Sequence, residues 1–142
     1  MTGIDISPVM LELARRNVPE AAFDQRDVLD LGAGWGPYDA VVAFFSLLML
    51  PRQKVTQALA QIREVLVSPG WLALGMVEAD IDDVPVPFLG VPVRVTGWPR
   101  EELHRVVGQA GFAVEAEDVR SYRPPSPDAV PETQLFLLAR PL

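Results

Sequence analysis

Apolar residues along the chain recur with two spacings, one typical of β-strands and one typical of α-helices. Four segments have the apolar density of strands, and they lie at 2–5, 21–28, 38–50 and 71–78. The last two are nearly continuous in apolar residues, which predicts parallel strands covered on both faces. Residues 8–17 and 52–66 instead place apolar side chains at helical spacing. This alternation predicts an α/β fold with a mostly parallel sheet.

Residues at the ends of the predicted helices fit helix boundaries. Ser7 can cap a helix that starts at Pro8, because proline's missing N–H costs nothing at the first helical position. A later helix opens at Pro99 and ends before Gly111, since glycine is the residue most often found just past a helix end. We therefore predict helices over 8–17 and 99–110.

The remaining segments give a hairpin and a loop. Residues 112–119 alternate between apolar and polar and 133–140 form a last apolar segment, so an antiparallel edge hairpin is expected, joined by the proline-rich residues 123–132. Residues 78–98 contain three prolines and an acidic cluster, and they have no clear period. We predict a long loop there, suited to act as a lid.

Composition excludes several classes of protein. The chain has 142 residues, enough for a single domain, and a hydrophobic content of 49% excludes a disordered chain. A net charge of -7 argues against nucleic acid or an anionic membrane as the partner. With no cysteine and one histidine, disulfides and a Cys/His metal site are also excluded. No signal peptide pattern is present, so we expect a soluble, cytoplasmic protein.

The segment "VLDLGAGWG" at 28–36 has the spelling of a nucleotide-binding loop. Such a loop must follow a strand and open a helix whose N-terminus faces the phosphate or carboxylate. Here Pro37 follows the last glycine at once and a strand-like segment comes next, which leaves no room for a helix. The glycines also follow a G-x-G-x-G spacing and therefore lack the longer second interval of the G-x-G-x-x-G pattern of NAD-binding loops. An ordinary turn is favoured over a functional loop, and a nicotinamide-dependent dehydrogenase is disfavoured.

Two carboxylates at strand ends are better candidates for chemistry. Asp5 ends the first predicted strand and is followed by Ile6, and Asp27 lies near the end of the second. A carboxylate at a strand end can accept hydrogen bonds from both ribose hydroxyls of an adenosine, and the next apolar residue can pack on adenine. A second carboxylate can accept from the exocyclic amine of adenine. The spacing therefore suits an adenosine-containing ligand.

Four segments in register resemble the part of class I S-adenosylmethionine-dependent methyltransferases that follows the first motif. They read "GIDISPVMLELAR", "RDVLDL", "YDAVVAFFSLLMLP" and "LVSPGWLALGMVE". The likeness is closest to the small bacterial type that includes ubiquinone-methyltransferase-like enzymes, and it covers residues 2–78 and, more loosely, the C-terminal hairpin. It implies a Rossmann-like, mostly parallel sheet, S-adenosyl-L-methionine as cofactor and a small-molecule acceptor.

The resemblance also implies cofactor-binding residues. Asp5 would bind the ribose hydroxyls, Ile6 would pack on adenine, and Asp27 would meet the adenine amine. Val28 would contact the adenine ring, and Phe44 would border the methyl-transfer site. The structural alternatives are a strand-end cap for Asp5, a solvated loop acid for Asp27 and a core position for Phe44.

Acceptor contacts are implied for residues beside the transfer site and in the predicted lid. Phe45 and Ser46 follow the third strand, and Pro87, Phe88 and Trp98 could line an apolar pocket; a stiff proline-rich surface loop is the alternative. No catalytic residue can be named, but methyl transfer mainly needs proximity and orientation.

Two further groups of polar residues are better explained as surface features. His104 lies on the polar side of its helix, which favours a surface position over a general base. Asp80, Asp82 and Asp83 lack an ordered ligand pattern, so we expect a solvated acidic turn and no metal.

The main departure from the family is that the first strand, its glycine-rich loop and the first helices have no counterpart in the sequence. We therefore expect an N-terminally truncated methyltransferase with impaired cofactor binding. The alternative is a non-catalytic remnant or interaction module, in which a second copy or a partner chain covers the exposed strand edges.

Overall fold

The computed structural model of the protein describes residues 1–32, 34–125, 127 and 130–142. Its contacts divide the chain into two compact units, Met1–Trp35 and Gly36–Leu142. None of the described helices combines the length and the apolar character needed to span a bilayer.

The first unit is a strand–helix–strand motif. Strand β1 (Thr2–Asp5) and strand β2 (Ala22–Gln25) are parallel, and helix α1 (Pro8–Asn17) connects them. The side chain of Ser7 accepts a hydrogen bond from the backbone N–H of Met10, which confirms the predicted cap. Each strand has four residues.

The second unit contains a four-stranded sheet and a separate hairpin. Its elements are β3 (Tyr38–Phe44), a short 3₁₀ helix (Leu47–Met49), α2 (Arg52–Val65), β4 (Leu66–Glu78), β5 (Ile81–Phe88), β6 (Val91–Gly97), α3 (Arg100–Gln109), β7 (Phe112–Tyr122) and β8 (Glu132–Pro141). The sheet order is β3-β4-β8-β7, with β3 parallel to β4 and β8 antiparallel to both of its neighbours. The predicted α/β fold and C-terminal antiparallel hairpin are confirmed. Of the predicted connection 123–132, Ser126, Asp128 and Ala129 lie outside the described residues.

The four-stranded sheet buries one face and exposes the other. On the buried face, Leu72, Leu74 and Met76 of β4 lie beside Ala139, Leu137 and Leu135 of β8, all with exposed fractions of 2% or less. The inward sides of α2 and α3 contribute further core residues, among them Val55, Leu59 and Ile62. Strand alternation places Val42, Phe44, Ala73, Phe136 and Leu138 on the opposite face, where Val42 is 64% and Phe44 51% exposed. We call these five residues the open sheet face.

The prediction for residues 38–50 was wrong in two respects. The strand ends at Phe44, and among the described residues it pairs only with β4, so it is an edge strand. A high density of apolar residues indicates that a segment is buried, but it does not indicate whether a neighbouring strand pairs with each of its two edges.

The irregular loop predicted for residues 78–98 was also wrong, because β5 and β6 form an antiparallel hairpin. Its turn consists of Leu89 and Gly90, which both have positive φ angles, +50° and +80°. A two-residue turn with positive φ at both positions matches the right-handed twist of the two strands, although leucine is rare at such a position. The prolines are tolerated because, in the part of the chain that the structure describes, neither strand pairs with another sheet, so half of the amides need no strand partner.

Candidate functional site

The two predicted cofactor carboxylates lie at the same edge of the β1–β2 pair. Asp5 ends β1 and is in register with Gln25, which ends β2, and Asp27 follows two residues later. The backbone N–H of Arg26 donates to the carbonyl of Asp5 over 3.1 Å, which holds this segment against the end of β1. The structure therefore brings Asp5 and Asp27 together at the carboxyl edge, where parallel α/β sheets bind ligands.

Each carboxylate uses one oxygen to shape its own loop. Oδ1 of Asp5 accepts from the backbone N–H of Ser7 over 2.8 Å, and Oδ1 of Asp27 accepts from that of Leu29 over 2.9 Å. No second partner for either carboxylate is found among the described residues. Ile6, beside Asp5, is 68% exposed, and Val28 is half-buried. The edge therefore offers two carboxylate oxygens and an apolar surface.

These features fit the adenosine half of S-adenosyl-L-methionine better than its methionine half. Two hydroxyls and an amine need carboxylate acceptors, and a purine ring needs an apolar contact. A methionine carboxylate is usually met by backbone N–H groups of a glycine-rich loop at a helix start. In the described part of the chain, α1 starts with a serine cap and a proline, and no glycine loop opens a helix.

The glycine segment at 28–36 is organised by an arginine. Nη1 of Arg26 donates to the carbonyl of Leu31 over 2.7 Å, and its guanidinium lies 4.8 Å from the ring centre of Trp35. A Cβ at Gly32 would lie 3.4 Å from Arg26 Nη1. The next element after β2 is a strand that begins at Tyr38, so the prediction that no helix follows these glycines is confirmed. Sequence reasoning missed the role of Arg26, although its position directly after a strand and before glycines was a usable signal.

In the second unit, the end of β3 carries an aromatic cluster. The Phe136 ring makes edge-on contacts with Phe44 and Phe45, at centroid distances of 5.6 and 5.4 Å. Phe45 has a φ of +54°, in the left-handed region, and its N–H donates to the carbonyl of Gly75 over 3.0 Å. Ser46 is exposed directly after it. A strained non-glycine residue at the carboxyl end of a parallel strand is a common feature of functional sites.

The three residues predicted to contact the acceptor from 78–98 do not converge. Phe88 is in register with Val91 beside the turn and is 56% exposed, and Pro87 lies next to it. Trp98 follows the base of the hairpin and is only 4% exposed. Since a strand rises about 3.3 Å per residue, roughly 20 Å of hairpin separates the two ends.

Ionic groups surround the end of β4. Nη2 of Arg100 donates to Glu78 over 2.9 Å, and this hydrogen bond raises the pKa of the Arg100 guanidinium above its usual value. His104 Nε2 lies 2.7 Å from Glu117, so the histidine is a half-exposed partner of β7 rather than an isolated surface residue. Nearby is an open cavity of about 550 Å³, lined by Glu78, Pro99, Arg100, Glu101 and Glu102. Within the described ranges no three His, Asp or Glu residues converge as metal ligands.

Comparison with known proteins places this arrangement in a fold family. The sequence profile of a methyltransferase domain matches residues 1–70. A structure of an S-adenosylmethionine-dependent methyltransferase from Methanosarcina mazei superposes with a TM-score of 0.82 over 99% of this chain and 81% of that one, at 16% identity. The fold is that of a class I methyltransferase.

Other structures with this methyltransferase fold have different activities. The 1,6-didemethyltoxoflavin-N1-methyltransferase of Burkholderia thailandensis, solved with its namesake compound and S-adenosylhomocysteine, is 22% identical, with a TM-score of 0.68 over 99% of this chain and 60% of that one. A (4+2)-cyclase is 20% identical, with a TM-score of 0.73 over 99% of this chain and 66% of that one. This chain thus spans about three-fifths to two-thirds of those two proteins. No curated protein matches it in sequence.

Proposed function

We propose that the protein transfers a methyl group from S-adenosyl-L-methionine to an apolar small molecule in the cytoplasm. The observation that carries this proposal is the pair of carboxylates, Asp5 and Asp27, at one edge of two parallel strands with Ile6 exposed beside them. Asp5 would accept hydrogen bonds from the ribose hydroxyls, and Asp27 would accept one from the adenine amine. The methyltransferase fold and the family match over residues 1–70 support the same role.

The chain's own residues would bind and orient the reactants rather than move protons. When bound, the cofactor supplies an electrophilic methyl group on a positively charged sulfur. Ile6 and Val28 would pack on adenine, and Phe44, Phe45 and Ser46 would border the acceptor beside β3. Bringing two reactants into line can by itself lower a barrier substantially, so an acceptor with a nucleophilic heteroatom needs little further help.

An apolar acceptor is supported by the tip of the β5–β6 hairpin. Phe88, Leu89 and Val91 are 56%, 69% and 60% exposed, and together they form an apolar surface at the turn. Leucine at a positive φ is unfavourable by roughly 1–2 kcal/mol, and glycine or asparagine would remove that cost. A leucine there despite this cost supports a contact role, so we assign the hairpin to the acceptor lid, with Pro87 and Phe88 at its tip and the buried Trp98 at its base.

We further propose that residues 1–142 lack the segment that binds the methionine half of the cofactor. Three surfaces support this: one edge of β1 and one edge of β3, which have no strand partner among the described residues, and the open sheet face. Sheets with parallel strands normally have both faces covered, and an uncovered edge invites pairing with other chains. Cofactor binding by this chain is accordingly expected to be weak.

Isothermal titration with S-adenosylhomocysteine tests the cofactor site. Replacing Asp5 by alanine should weaken binding about 10- to 100-fold, because a charged hydrogen-bond acceptor is lost. Asp30→Ala is the control, since this exposed carboxylate lies in the loop that contains Asp27 and is given no ligand contact; its affinity should stay within about threefold of wild type. Equal affinities for the two variants would contradict the site, and a folded wild-type chain with no binding would favour the alternative below.

The second candidate is an interaction module that uses the methyltransferase fold without catalysis. The open sheet face favours it, because Val42, Ala73 and Leu138 lie in one row and Phe44, Gly75 and Phe136 in the next. A Cβ at Gly75 would lie 3.1 Å from the Phe44 ring, so the glycine lets the two phenylalanines meet. A single fold can host unrelated functions, as the cyclase with this fold illustrates.

The oligomeric state in solution tests whether the open sheet face binds a second copy of the chain. We expect wild-type chain to form dimers or larger species at tens of micromolar, as seen by size-exclusion chromatography with light scattering. Val42→Lys should shift the population towards monomer, since lysine can keep its charge in water at a 64% exposed position. Thr56→Lys, which adds the same charge on an exposed position of α2, should not. A wild-type chain that stays monomeric throughout would exclude this face as an interface between copies of the chain.

A further inference from the structure

The β5–β6 hairpin is fastened to the rest of the second unit at its base. The backbone N–H of Ala79 donates to Trp98 O over 3.2 Å, and the N–H of Trp98 donates to Val77 O over 3.4 Å. Trp98 also forms a parallel bridge with Glu78 at the end of β4. Neither hairpin strand is paired with another sheet among the described residues. The hairpin is thus a two-stranded arm with an apolar tip, and it is attached at its base, where the end of β6 is buried and also contacts the 3₁₀ helix.

One arginine collects most of the side-chain interactions at this attachment. Nη2 of Arg52 donates to Asp80 Oδ1 over 2.7 Å and to the carbonyl of Gly97 over 2.9 Å. Its guanidinium lies 4.6 Å from the ring centre of Trp98. Asp80 precedes the first strand of the hairpin, and Gly97 ends the second. Arg52 therefore ties both strands of the arm to the start of α2.

The arm in turn caps the helix that carries Arg52. Pro51 occupies the cap position of α2 and contributes no side-chain bond. The backbone N–H of Arg52 instead donates to Asp82 Oδ1 over 2.8 Å, a residue of β5. A carboxylate at a helix N-terminus is stabilising because it meets free N–H groups and the positive end of the helix dipole. The start of α2 and the base of the arm therefore support each other. We call Arg52, Asp80, Asp82 and Trp98 the latch.

The latch is held by interactions that can be exchanged for water. Asp80 is 76% exposed at its side chain, and ion pairs of this kind contribute little to stability. Arg52 Nε and Trp98 Nε1 are both buried with no hydrogen-bond acceptor among the described residues. Burying an N–H without an acceptor costs free energy that contact with water would recover. The closed latch therefore combines weak attractions with two unsatisfied donors, as expected of an element with two accessible states.

We propose that Arg52 is a positioning residue that sets the closed position of the hairpin lid, and that breaking its contacts releases the hairpin as a unit. This inference rests on the lid role given under the proposed function. In the released state the base residues 80–82 and 97–98 reach water while β5 and β6 stay paired with each other. The Asp83–Arg94 hydrogen bond, 2.7 Å across the hairpin, would keep the two strands together.

Hydrogen exchange followed by mass spectrometry on the intact chain tests the latch without any ligand. Arg52→Gln should raise the exchange rates of the base amides 79–82 and 97–98 by about 10- to 100-fold, while the amides paired between β5 and β6, and those of β4, β8 and α3, keep their protection. Lys54→Gln, a nearby change on α2 at an exposed position, should leave the hairpin unchanged. Arg52→Lys should recover part of the protection, since lysine keeps the charge but not the planar, forked donor.

A second readout distinguishes positioning from general stabilisation. In wild type, raising the salt concentration should speed exchange in the hairpin, because screening weakens the Arg52–Asp80 pair. The same salt series should have little effect on Arg52→Gln. Trp98 emission should shift to longer wavelength in Arg52→Gln. The Trp98 signal is obtained by subtracting the spectrum of the same chain with Trp98→Phe, in which only Trp35 and Trp71 emit.

Two results would overturn the proposal. Hairpin exchange that is the same in Arg52→Gln and wild type would mean that Arg52 does not hold the arm. Exchange that rises equally in β4, β8 and α3 would make Arg52 a general stabiliser of the fold. Because no cofactor is present, these outcomes are independent of S-adenosylhomocysteine binding. Failure of the cofactor site and failure of the latch can therefore be told apart.

Discussion

Replacing Leu137 by alanine should lower the free energy of unfolding by about 3–5 kcal/mol, whereas the same change at Leu138 should lower it by about 1 kcal/mol or less. The two leucines are neighbours in β8 and project from opposite faces of the sheet. Leu137 is 2% exposed and in register with Leu74 in the core, so alanine leaves a cavity. Leu138 is 37% exposed on the open sheet face, where water already reaches the side chain.

Urea unfolding of the two variants and the wild type, followed by circular dichroism, gives the comparison. Strand propensity changes in the same way in both variants, so the difference reports the burial of the two faces. Equal losses would contradict the description of the sheet. In particular, a loss above about 2 kcal/mol at Leu138 would mean that another layer covers this face in solution.

Gly36→Ala should be the second severe change, with an expected loss of about 3–4 kcal/mol of unfolding free energy. Gly36 has a φ of +90°, and a Cβ there would lie 2.7 Å from the carbonyl oxygen of Val65 and 3.2 Å from its Cα. The backbone oxygen belongs to the last turn of α2 and cannot move without disturbing the helix. Alanine would therefore bring both backbone strain and a clash.

Gly34→Ala is the matched control, because it separates the two costs. Gly34 has nearly the same φ, +93°, but an added Cβ would meet no described residue within 4 Å. Gly34→Ala should therefore lose only the free energy of unfolding that a positive φ costs an alanine, about 1–2 kcal/mol. Thermal unfolding of both variants under the same conditions measures the difference. If Gly36→Ala lost no more than Gly34→Ala, the contact with Val65 would be relieved by a small local shift.

Much of the fold followed from local signals whose physical cause lies within a few residues. Ser7 and Pro8 predicted the start of α1 because the cap and the first-turn proline act on neighbouring N–H groups. Pro99 and Gly111 bracketed α3 for the same reason. The apolar run of β3 by itself predicted a central strand, and an exposed edge was expected only through the missing first strand, because pairing depends on strands far away in sequence. The β5–β6 hairpin was missed because its turn is Leu89–Gly90 rather than a familiar Asn-Gly or Asp-Gly pair.

The sequence predicted those site residues that a family resemblance places at a strand end. It did not predict contacts between residues that are far apart along the chain. Asp5 and Asp27 were singled out from their positions after two strands, and their shared edge follows from the parallel pairing of those strands. Their roles remain predictions. Arg52 gave no signal, since its partners lie 28 to 46 positions along the chain, in a segment without a clear period. Sequence spacing alone cannot report a contact of that range.

The open sheet face also has an evolutionary consequence. Five apolar side chains in contact with water gain nothing from staying apolar, so in a lineage where nothing covers them they should drift to polar residues. Leu135, Leu137 and Ala139, buried in the same strand, should be held by packing in every lineage. The rate of change at Val42, Phe44, Ala73, Phe136 and Leu138, set against those three, would therefore record whether this face has had a partner throughout the protein's history.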